Sequence, residues 1–475
     1  LLPRVVIAGV QSGVGKTTVA TGLMAALTRK GYRVQGFKAG PDYIDPGYHT
    51  AATGNISRNL DGWLMTGPVI RELFCRAAKG ADLAVIEGVM GLYDGSGAGR
   101  EEGSTARLAR YLGAPVILVV DAKGLAGSAA AVVLGYQKFD PEVNLAGVIF
   151  NRTGGEKHYR LLKEAVEGAV GVKALGHLEK NAAFQMPERH LGLVPAGEAG
   201  EPAPFLEKLA QAVTSTVDLE GILKIAGSVP PLDFSRPAIF PEGRAKDVKI
   251  AVARDRAFRF YYQDALDLLA ACGAELVYFS PLADRSLPAG VHGLYLGGGF
   301  PEMFLEPLAR NREMMESISL AHRQGMPIYA ECGGLMYLCA GIVDFDGNEH
   351  PLTGVIPGRA RMQKKLAALG YAEAEVLADN ILAKKGEIVR GHQFRWSVLE
   401  GVSPEGQFAY QLKGRSGAGG ARGQSEAGQK EGIVRGNLLA SYLHLHFAAH
   451  PRLAENFVES CRRYRRSEVG SRRSE

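Results

Sequence analysis

The sequence predicts an α/β protein: a doubly wound parallel sheet in the first half, then a second α/β domain. Three observations predict it. Short, continuous apolar runs alternate with helical patterns, as strands buried on both faces do. The 61 glycines gather in loops between those runs, which suits tight strand-to-helix turns. A proline-dense stretch separates two such series.

In the first series the strand runs are Arg4–Val10, Leu83–Glu87, Pro115–Asp121 and Leu145–Asn151, with helical patterns such as Lys16–Lys30 and Thr105–Leu112 between them. From about Ile225 to Asp247 the pattern breaks. Gly227, Pro230, Pro231, Pro237 and Pro241 crowd together there, which predicts an extended linker. The second series has runs at Lys249–Asp255, Glu275–Ser280, Gly293–Gly297 and Pro327–Glu331. Residues 414–432 are rich in Gly, Ser, Gln, Arg and Lys and nearly lack apolar side chains, so a disordered surface insertion is expected. The predicted division is a first domain over 1–225, a linker over 226–246, a second domain over 247–465 and a basic tail over 466–475. No internal repeat is visible.

A chain of 475 residues is too long for one ordinary core. Apolar residues at 46% and charged residues at 22% are ordinary for a globular protein. Part of the net charge of +5 comes from Arg462, Arg463, Arg465, Arg466, Arg472 and Arg473, read as a solvated C-terminal end. Without them the chain is near neutral, so no nucleic-acid partner is expected. The five cysteines are scattered, with no CxxC pair, which indicates neither a disulfide framework nor a zinc site and fits a reducing cytoplasm. No signal-peptide pattern opens the chain, and no apolar run has the length of a membrane span. The oligomeric state stays open.

The run Gly9-Val-Gln-Ser-Gly13-Val-Gly15-Lys16-Thr17-Thr18 follows the first strand and opens a helix, the context a phosphate-binding P-loop needs. Glycines let backbone N–H groups turn onto phosphate oxygens, and the helix N-terminus favours anions. Lys16 can reach β- and γ-phosphates, and the Thr17 hydroxyl can ligate Mg²⁺. Gly9 stands seven residues before Lys16, one more than the common spacing, with Val10 in the usual glycine place. An ordinary glycine-rich turn is the competing reading.

Phe37-Lys38-Ala-Gly-Pro41 leads into Asp42-Tyr43-Ile44-Asp45-Pro46, and the strand Leu83–Ile86 ends on Glu87, before Gly88-Val-Met-Gly-Leu-Tyr-Asp94-Gly95. A carboxylate at a strand's carboxyl end faces the crevice where open α/β sheets bind ligands. Mg²⁺ takes few carboxylates, with phosphate and water oxygens completing its shell. Asp45 and Glu87 are therefore the first choices for metal positioning, with Asp42 and Asp94 behind them. Asp121 and Asn151 also end strands. Turn capping competes for each residue taken singly.

In the second half, Pro327-Ile-Tyr-Ala-Glu331-Cys332-Gly333-Gly334-Leu-Met336 is a strand entering a glycine turn and a helix, like a nucleophile elbow. A cysteine nucleophile needs a base to form its thiolate. Ser441-Tyr-Leu-His444-Leu-His446-Phe447 offers two histidines far away in sequence. Gly297-Gly298-Gly299 can aim backbone N–H groups at a developing oxyanion. A lone cysteine before glycines is otherwise a packed core residue.

These motifs together resemble the cobyrinate a,c-diamide synthase family of cobalamin biosynthesis over nearly the whole chain. The shifted P-loop resembles that of dethiobiotin synthetase and its relatives. The specific runs are Lys38–Pro46, Ser57-Arg-Asn-Leu-Asp61-Gly-Trp63 and Glu87–Gly95. The second half resembles triad-type, class I glutamine amidotransferase domains of the corrin-amidating branch. The resemblance implies glutamine hydrolysis at Cys332, with His444 as base and His446 as the alternative base. It implies ATP with Mg²⁺ phosphorylating a peripheral corrin carboxylate, and ammonia attacking the acyl phosphate, first at one and then at the other of the a and c acetates. It also implies that Asp42, Tyr43, Ile44, Asp45, Glu87 and Asp94 serve Mg²⁺·ATP or the corrin, with Lys38 beside them.

Two departures stand out. Many triad amidotransferases carry His-x-Glu, whereas His446 fills the third position here, leaving a Cys332–His444 pair without an evident carboxylate. In Gly391-His-Gln393-Phe-Arg395-Trp-Ser397 the family pattern has Glu and His where this chain has Gln393 and Arg395; Arg395 can hold a carboxylate. Hydrogenobyrinate and nickel-sirohydrochlorin are alternative substrates for the same chemistry. Cobyric acid synthase fits less well because the Pro41–Pro46 run favours the a,c-diamide group. A P-loop switch of the chromosome-partitioning type is the alternative from a different class, and a degenerate, regulatory amidotransferase is a third.

Overall fold

Arg4–Gly9 (β1), the first apolar run, is buried at every residue and lies in the middle of a seven-stranded sheet in the computed structural model. The structure describes residues 2–96, 101–184, 186, 188–189, 192–193, 202–232, 239–402, 407–413 and 428–471. The other strands are Val34–Ala39 (β2), Arg58–Leu60 (β3), Leu83–Glu87 (β4), Val116–Asp121 (β5), Leu145–Thr153 (β6) and Ala174–Glu179 (β7). Their order is β3-β2-β4-β1-β5-β6-β7, and every pairing is parallel. The chain leaves β1 toward β2 and later returns through β4 to β5 on the other side of β1. The strand order therefore reverses beside β1, and the crevice at its carboxyl end is where such sheets bind ligands.

Two helices carry the first site. Lys16–Arg29 (α1) starts from Gly15 at φ 90°, a left-handed conformation that glycine adopts without strain. Its Leu23 and Leu27 belong to one buried apolar core with Val85, Ile117 and Val119 of the sheet. Asp45–Thr53 (α2) has Pro46 in its first turn and ends on Gly54 at φ 73°, the usual asymmetry of helix ends.

Contacts divide the chain into two compact units, Leu1–Pro237 and Ala238–Glu475. The second unit has a ten-stranded sheet. Five strands are parallel, in the order Ala274–Phe279, Val248–Ala253, Gly293–Leu296, Ile328–Glu331 and Leu438–Ser441. The sheet continues antiparallel through Lys430–Arg435, Gln407–Lys413, Ala368–Val376, Ile388–Arg395 and His444–Leu445.

Three organisational expectations change. Helix Leu219–Gly227 runs past Ile225, because its buried Leu219, Ile222 and Ala226 make an amphipathic face; residues 233–238 lie outside the described residues. Of the expected insertion, 414–427 lie outside the described residues, but Lys430–Arg435 is a strand. Glu431 is buried there, accepting from Ser441 Oγ at 2.7 Å and from Tyr442 N at 2.6 Å. The arginines read as a solvated end begin inside helix Arg452–Ser471, and Arg462 pairs with Asp247 at 2.8 Å. Among the described residues, no helix is long and apolar enough to cross a membrane.

Candidate active sites

The loop after β1 wraps around the start of α1. Gly13 and Gly15 have φ of 78° and 90°. A Cβ on Gly15 would lie 2.1 Å from Asn151 Nδ2, so the turn needs glycine on two counts. Asn151 donates to Val14 O at 2.8 Å, and Arg152 donates to Gly13 O at 2.9 Å. Arg152 has φ 59°, an uncommon conformation for a residue with a side chain, and it also pairs with Asp121 at 2.6 Å. Asn151 and Arg152 thus hold loop carbonyls from behind, while Asp121 acts through Arg152.

Four side chains meet under this loop. Thr17 Oγ1 donates to Glu87 Oε1 at 2.7 Å and lies 3.4 Å from Asp45 Oδ2. Lys38 Nζ sits 2.6 Å from Asp45 and 2.8 Å from Glu87. A carboxylate at the end of β4 and another at the start of α2 thus come together from positions 42 residues apart. Burial opposes the charge on Glu87, but Lys38 and then His49 outweigh it and hold its carboxyl well below the usual range. Burial, then the nearby charges of Asp42 and Glu87, pushes Asp45 up against the pull of Lys38. Burial would lower Lys38, yet Asp45 and Glu87 raise it above the usual lysine value. Burial followed by repulsion from Lys38 pushes Lys16 down to about 8.

A cavity of about 850 Å³ opens over these groups, lined among others by Ser12, Lys16, Thr18, Asp42, Phe184 and Met186. Two carboxylates and a hydroxyl are hard oxygen donors suited to Mg²⁺. Asp45 Oδ1 is buried without a hydrogen-bond partner, as an oxygen awaiting a cation would be. Among the described residues, no group of three or more His, Cys, Asp or Glu is arranged to hold a metal ion. Phosphate and water oxygens would have to complete the shell, the usual mode for Mg²⁺.

The remaining expected residues lie at the margin. Asp42 Oδ1 accepts from Ile44 N at 2.7 Å and Asp45 N at 3.0 Å, so it shapes the turn into α2 while bordering the cavity. Tyr43 and Ile44 are half-buried on that turn. Asp94 is exposed and accepts from Gly91 N at 2.8 Å, closing its own loop. The sequence reading missed His49. Its Nε2 lies 2.6 Å from Glu87 Oε2, and its Nδ1 lies 3.3 Å from Ser57 Oγ. The signal was present: His49 follows Asp45 by four residues on one helix, which puts both on one face.

In the second unit Cys332 has φ 46°, the strained turn expected of a nucleophile elbow. Its N–H donates to Ser441 O at 2.7 Å, and its Sγ lies 3.7 Å from Phe394 O. A Cβ on Gly334 would come within 2.2 Å of Leu296 O, and one on Gly333 within 3.0 Å of Gly299 N. The elbow and the triple-glycine loop are therefore pressed together. A Cβ on Gly298 would lie 2.5 Å from the His444 ring. Gly297, by contrast, donates its N–H to Tyr261 Oη at 2.8 Å and is already engaged, so of the three glycines expected to serve an oxyanion, Gly297 is not available and Gly298 and Gly299 are the candidates left. A small pocket reaches Cys332 past Phe300, Phe394 and Trp396. Arg395 borders it, its guanidinium 4.6 Å above the Tyr442 ring.

His444 is the imidazole that meets the sulfur. Burial would lower its pKa, yet a hydrogen bond with Cys332 and the neighbouring Glu331, 3.6 Å from Nδ1, raise it to about 10. His446 is a different kind of group. It is fully buried against the Tyr262 ring, with centroids 4.6 Å apart, and burial pushes it down to about 3. The structure thus sets His444, and not His446, against Cys332. Gln393 is buried inside its strand.

Residues 5–194 match the CobQ/CobB/MinD/ParA nucleotide binding domain family, and residues 249–452 match the CobB/CobQ-like glutamine amidotransferase domain family. The chain is similar to proteins named cobyrinate a,c-diamide synthase. One from Dehalococcoides mccartyi is 49% identical, over 96% of this chain and 97% of that one. One from Priestia megaterium is 47% identical over 97% of each. One from Methanobrevibacter smithii is 42% identical over 97% of this chain and 99% of its own.

Proposed function

The chain belongs to the cobyrinate a,c-diamide synthase family, and from that premise we propose that its two sites run one reaction, in the cytoplasm: the ATP- and glutamine-dependent amidation of the a and c acetates of cobyrinate. The observation that carries the reading is the presence, in one chain, of a P-loop facing buried carboxylates and a strained cysteine elbow facing a protonatable histidine.

In the second unit the His444 imidazole takes the Cys332 proton, and the thiolate attacks the carboxamide carbon of glutamine. The carbon–nitrogen bond breaks as His444 protonates the leaving ammonia, giving a thioester. Water then adds, its proton passing to His444, and glutamate leaves. Gly298 and Gly299 supply the loop whose amides face the tetrahedral oxyanion. Arg395 offers a cation for the carboxylate of the bound amino acid.

In the first unit the loop amides, Lys16 and Thr18 hold the triphosphate. Thr17, Asp45 and Glu87 would hold Mg²⁺, which would supply positive charge to offset that of the phosphate oxygens. A carboxylate is a poor electrophile, and phosphorylation gives it a leaving group that ammonia displaces. Lys38 and Asp42 line this cavity, and with Tyr43, Ile44 and Asp94 they are the residues proposed to meet the macrocycle or the nucleotide. A partitioning-type switch would have no use for Cys332 and His444.

Offering cobyrinate, hydrogenobyrinate and nickel-sirohydrochlorin separately, with ATP and glutamine, and weighing the products tests the reading. Cobyrinate should gain two amides. Turnover of either other macrocycle alone would reassign the substrate, and no amidation of any would overturn the function.

A further inference from the structure

Glu331 ends the strand that delivers Cys332 and is only 1% exposed. A buried carboxylate is unfavourable unless its oxygens are satisfied. Its Oε1 accepts from Tyr329 Oη and, at 2.9 Å, from Leu445 N. Its Oε2 accepts from Tyr295 Oη at 3.1 Å and lies 3.6 Å from His444 Nδ1. Leu445 directly follows His444, so one carboxylate holds the backbone of the short strand His444–Leu445 by a hydrogen bond and stands within ion-pair distance of the ring.

The third position of the His-x-Glu pattern is filled here by His446, which packs on Tyr262. We infer that Glu331, immediately before the nucleophile, supplies the missing carboxylate. It is the positioning residue that orients His444 through Nδ1 and stabilises its imidazolium, leaving Nε2 for Cys332. The inference rests on the glutamine-hydrolysing reading of this site. In the step it supports, the Cys332 proton moves to His444, and the neighbouring Glu331 carboxylate offsets the charge that develops on the ring.

The surroundings leave Glu331 in this role. Tyr261, Tyr295, Tyr329 and Tyr410 lie around it, and burial pushes every one of these hydroxyls above the usual tyrosine range, so they stay neutral. His392 lies across the strand pairing from His444 and is pushed down to about 3 by burial, so it stays neutral. Glu431, whose charge reaches Tyr410, is engaged by Ser441 and Tyr442.

The test is the rate of Cys332 alkylation by iodoacetamide in the full-length chain, followed by peptide mass from about pH 5 to 10. Glutamine kcat and KM are measured in parallel. Glu331→Gln should slow alkylation at neutral pH, move its inflection up by about one to three pH units, and lower kcat with KM little changed. Glu331→Asp should recover part of both effects. Tyr295→Phe leaves Oε2 with His444 as its near polar neighbour, should move the inflection down, and serves where Glu331→Gln does not fold. A folded Glu331→Gln chain with the wild-type alkylation profile, or an unmoved profile in Tyr295→Phe, overturns the proposal. Alkylation needs no glutamine turnover. Wild-type protein that shows the coupled profile yet hydrolyses no glutamine would therefore sink the glutaminase reading and leave the Glu331–His444 pairing standing.

Discussion

Lys38 Nζ lies 2.8 Å from Glu87 Oε1, an ion pair closed off from solvent beneath the phosphate loop. The same ammonium reaches Asp45, so one cation holds two carboxylates together where a metal-bound triphosphate is proposed to dock. Removing it strands both acids in a buried place. Lys38→Met should therefore cost about 3–5 kcal/mol of stability at neutral pH, read by thermal unfolding. The pH dependence follows from the shifts. Glu87 is depressed when folded, so its contribution is present above the usual carboxylate range and lost as pH falls. Lys38 is raised, so its contribution is present below the usual lysine value and lost as pH rises through the folded one. The gap between wild type and Lys38→Met should thus be widest near neutrality and narrow toward acid. A gap independent of pH would separate the destabilisation from this ion pair.

Lys16 makes a second prediction. Burial and Lys38 set its pKa near 8 in the free protein, and a bound triphosphate favours its charged form. Nucleotide affinity should change little between about pH 7 and 8 and fall up to about tenfold per pH unit above that, with proton uptake visible by calorimetry in two buffers of different ionisation heat. Lys16→Ala should abolish amidation whether glutamine or an ammonium salt supplies nitrogen, and its residual nucleotide binding should lose the pH dependence.

How much of this was legible in the sequence differs by element. The parallel strands announced themselves, because burial on both faces leaves runs such as Val5-Val6-Ile7 with no polar interruption. The P-loop and the cysteine elbow were legible because glycine is required where a backbone approaches within contact distance, as at Gly15 and Gly334. The antiparallel strands of the second sheet were not read, since half-buried strands such as Ala368–Val376 alternate and carry charges. His49 and Glu331 were missed for another reason. Each acts through a partner brought in by the fold, Glu87 and His444 respectively, and a lone His or Glu inside a motif already assigned to another residue carries no spacing signal of its own. His446, the alternative base, differs from the equally buried His444 in its partners: the fold brings Cys332 and Glu331 to His444 and Tyr262 to His446, which the sequence does not print.

Cys332→Ser separates the two proposed sites. The hydroxyl is a far weaker nucleophile than a thiolate, so glutamine-dependent amidation should fall by at least about a thousandfold, while amidation with added ammonium salt persists. If the folded serine variant fails with ammonium too, the division of labour between the units is wrong. Product mass with each nitrogen source is the measurement.

The phosphate loop offers a contrast between two glycines that share a left-handed backbone. At Gly13 an added Cβ meets nothing within 4 Å, while at Gly15 it would sit 2.1 Å from Asn151 Nδ2. Gly13→Ala therefore carries only the backbone penalty, about 1–2 kcal/mol, and should bind nucleotide nearly as well once folded. Gly15→Ala adds a collision with the side chain that holds Val14 O, so it must displace that brace or distort the start of α1. Its nucleotide affinity should fall by at least about tenfold more than that of Gly13→Ala. Because the obstacle is a side chain and not backbone, Asn151→Ala combined with Gly15→Ala should relieve part of the clash. Equal losses in the two single variants would mean that backbone strain alone governs the loop, and that Asn151 does not set its shape.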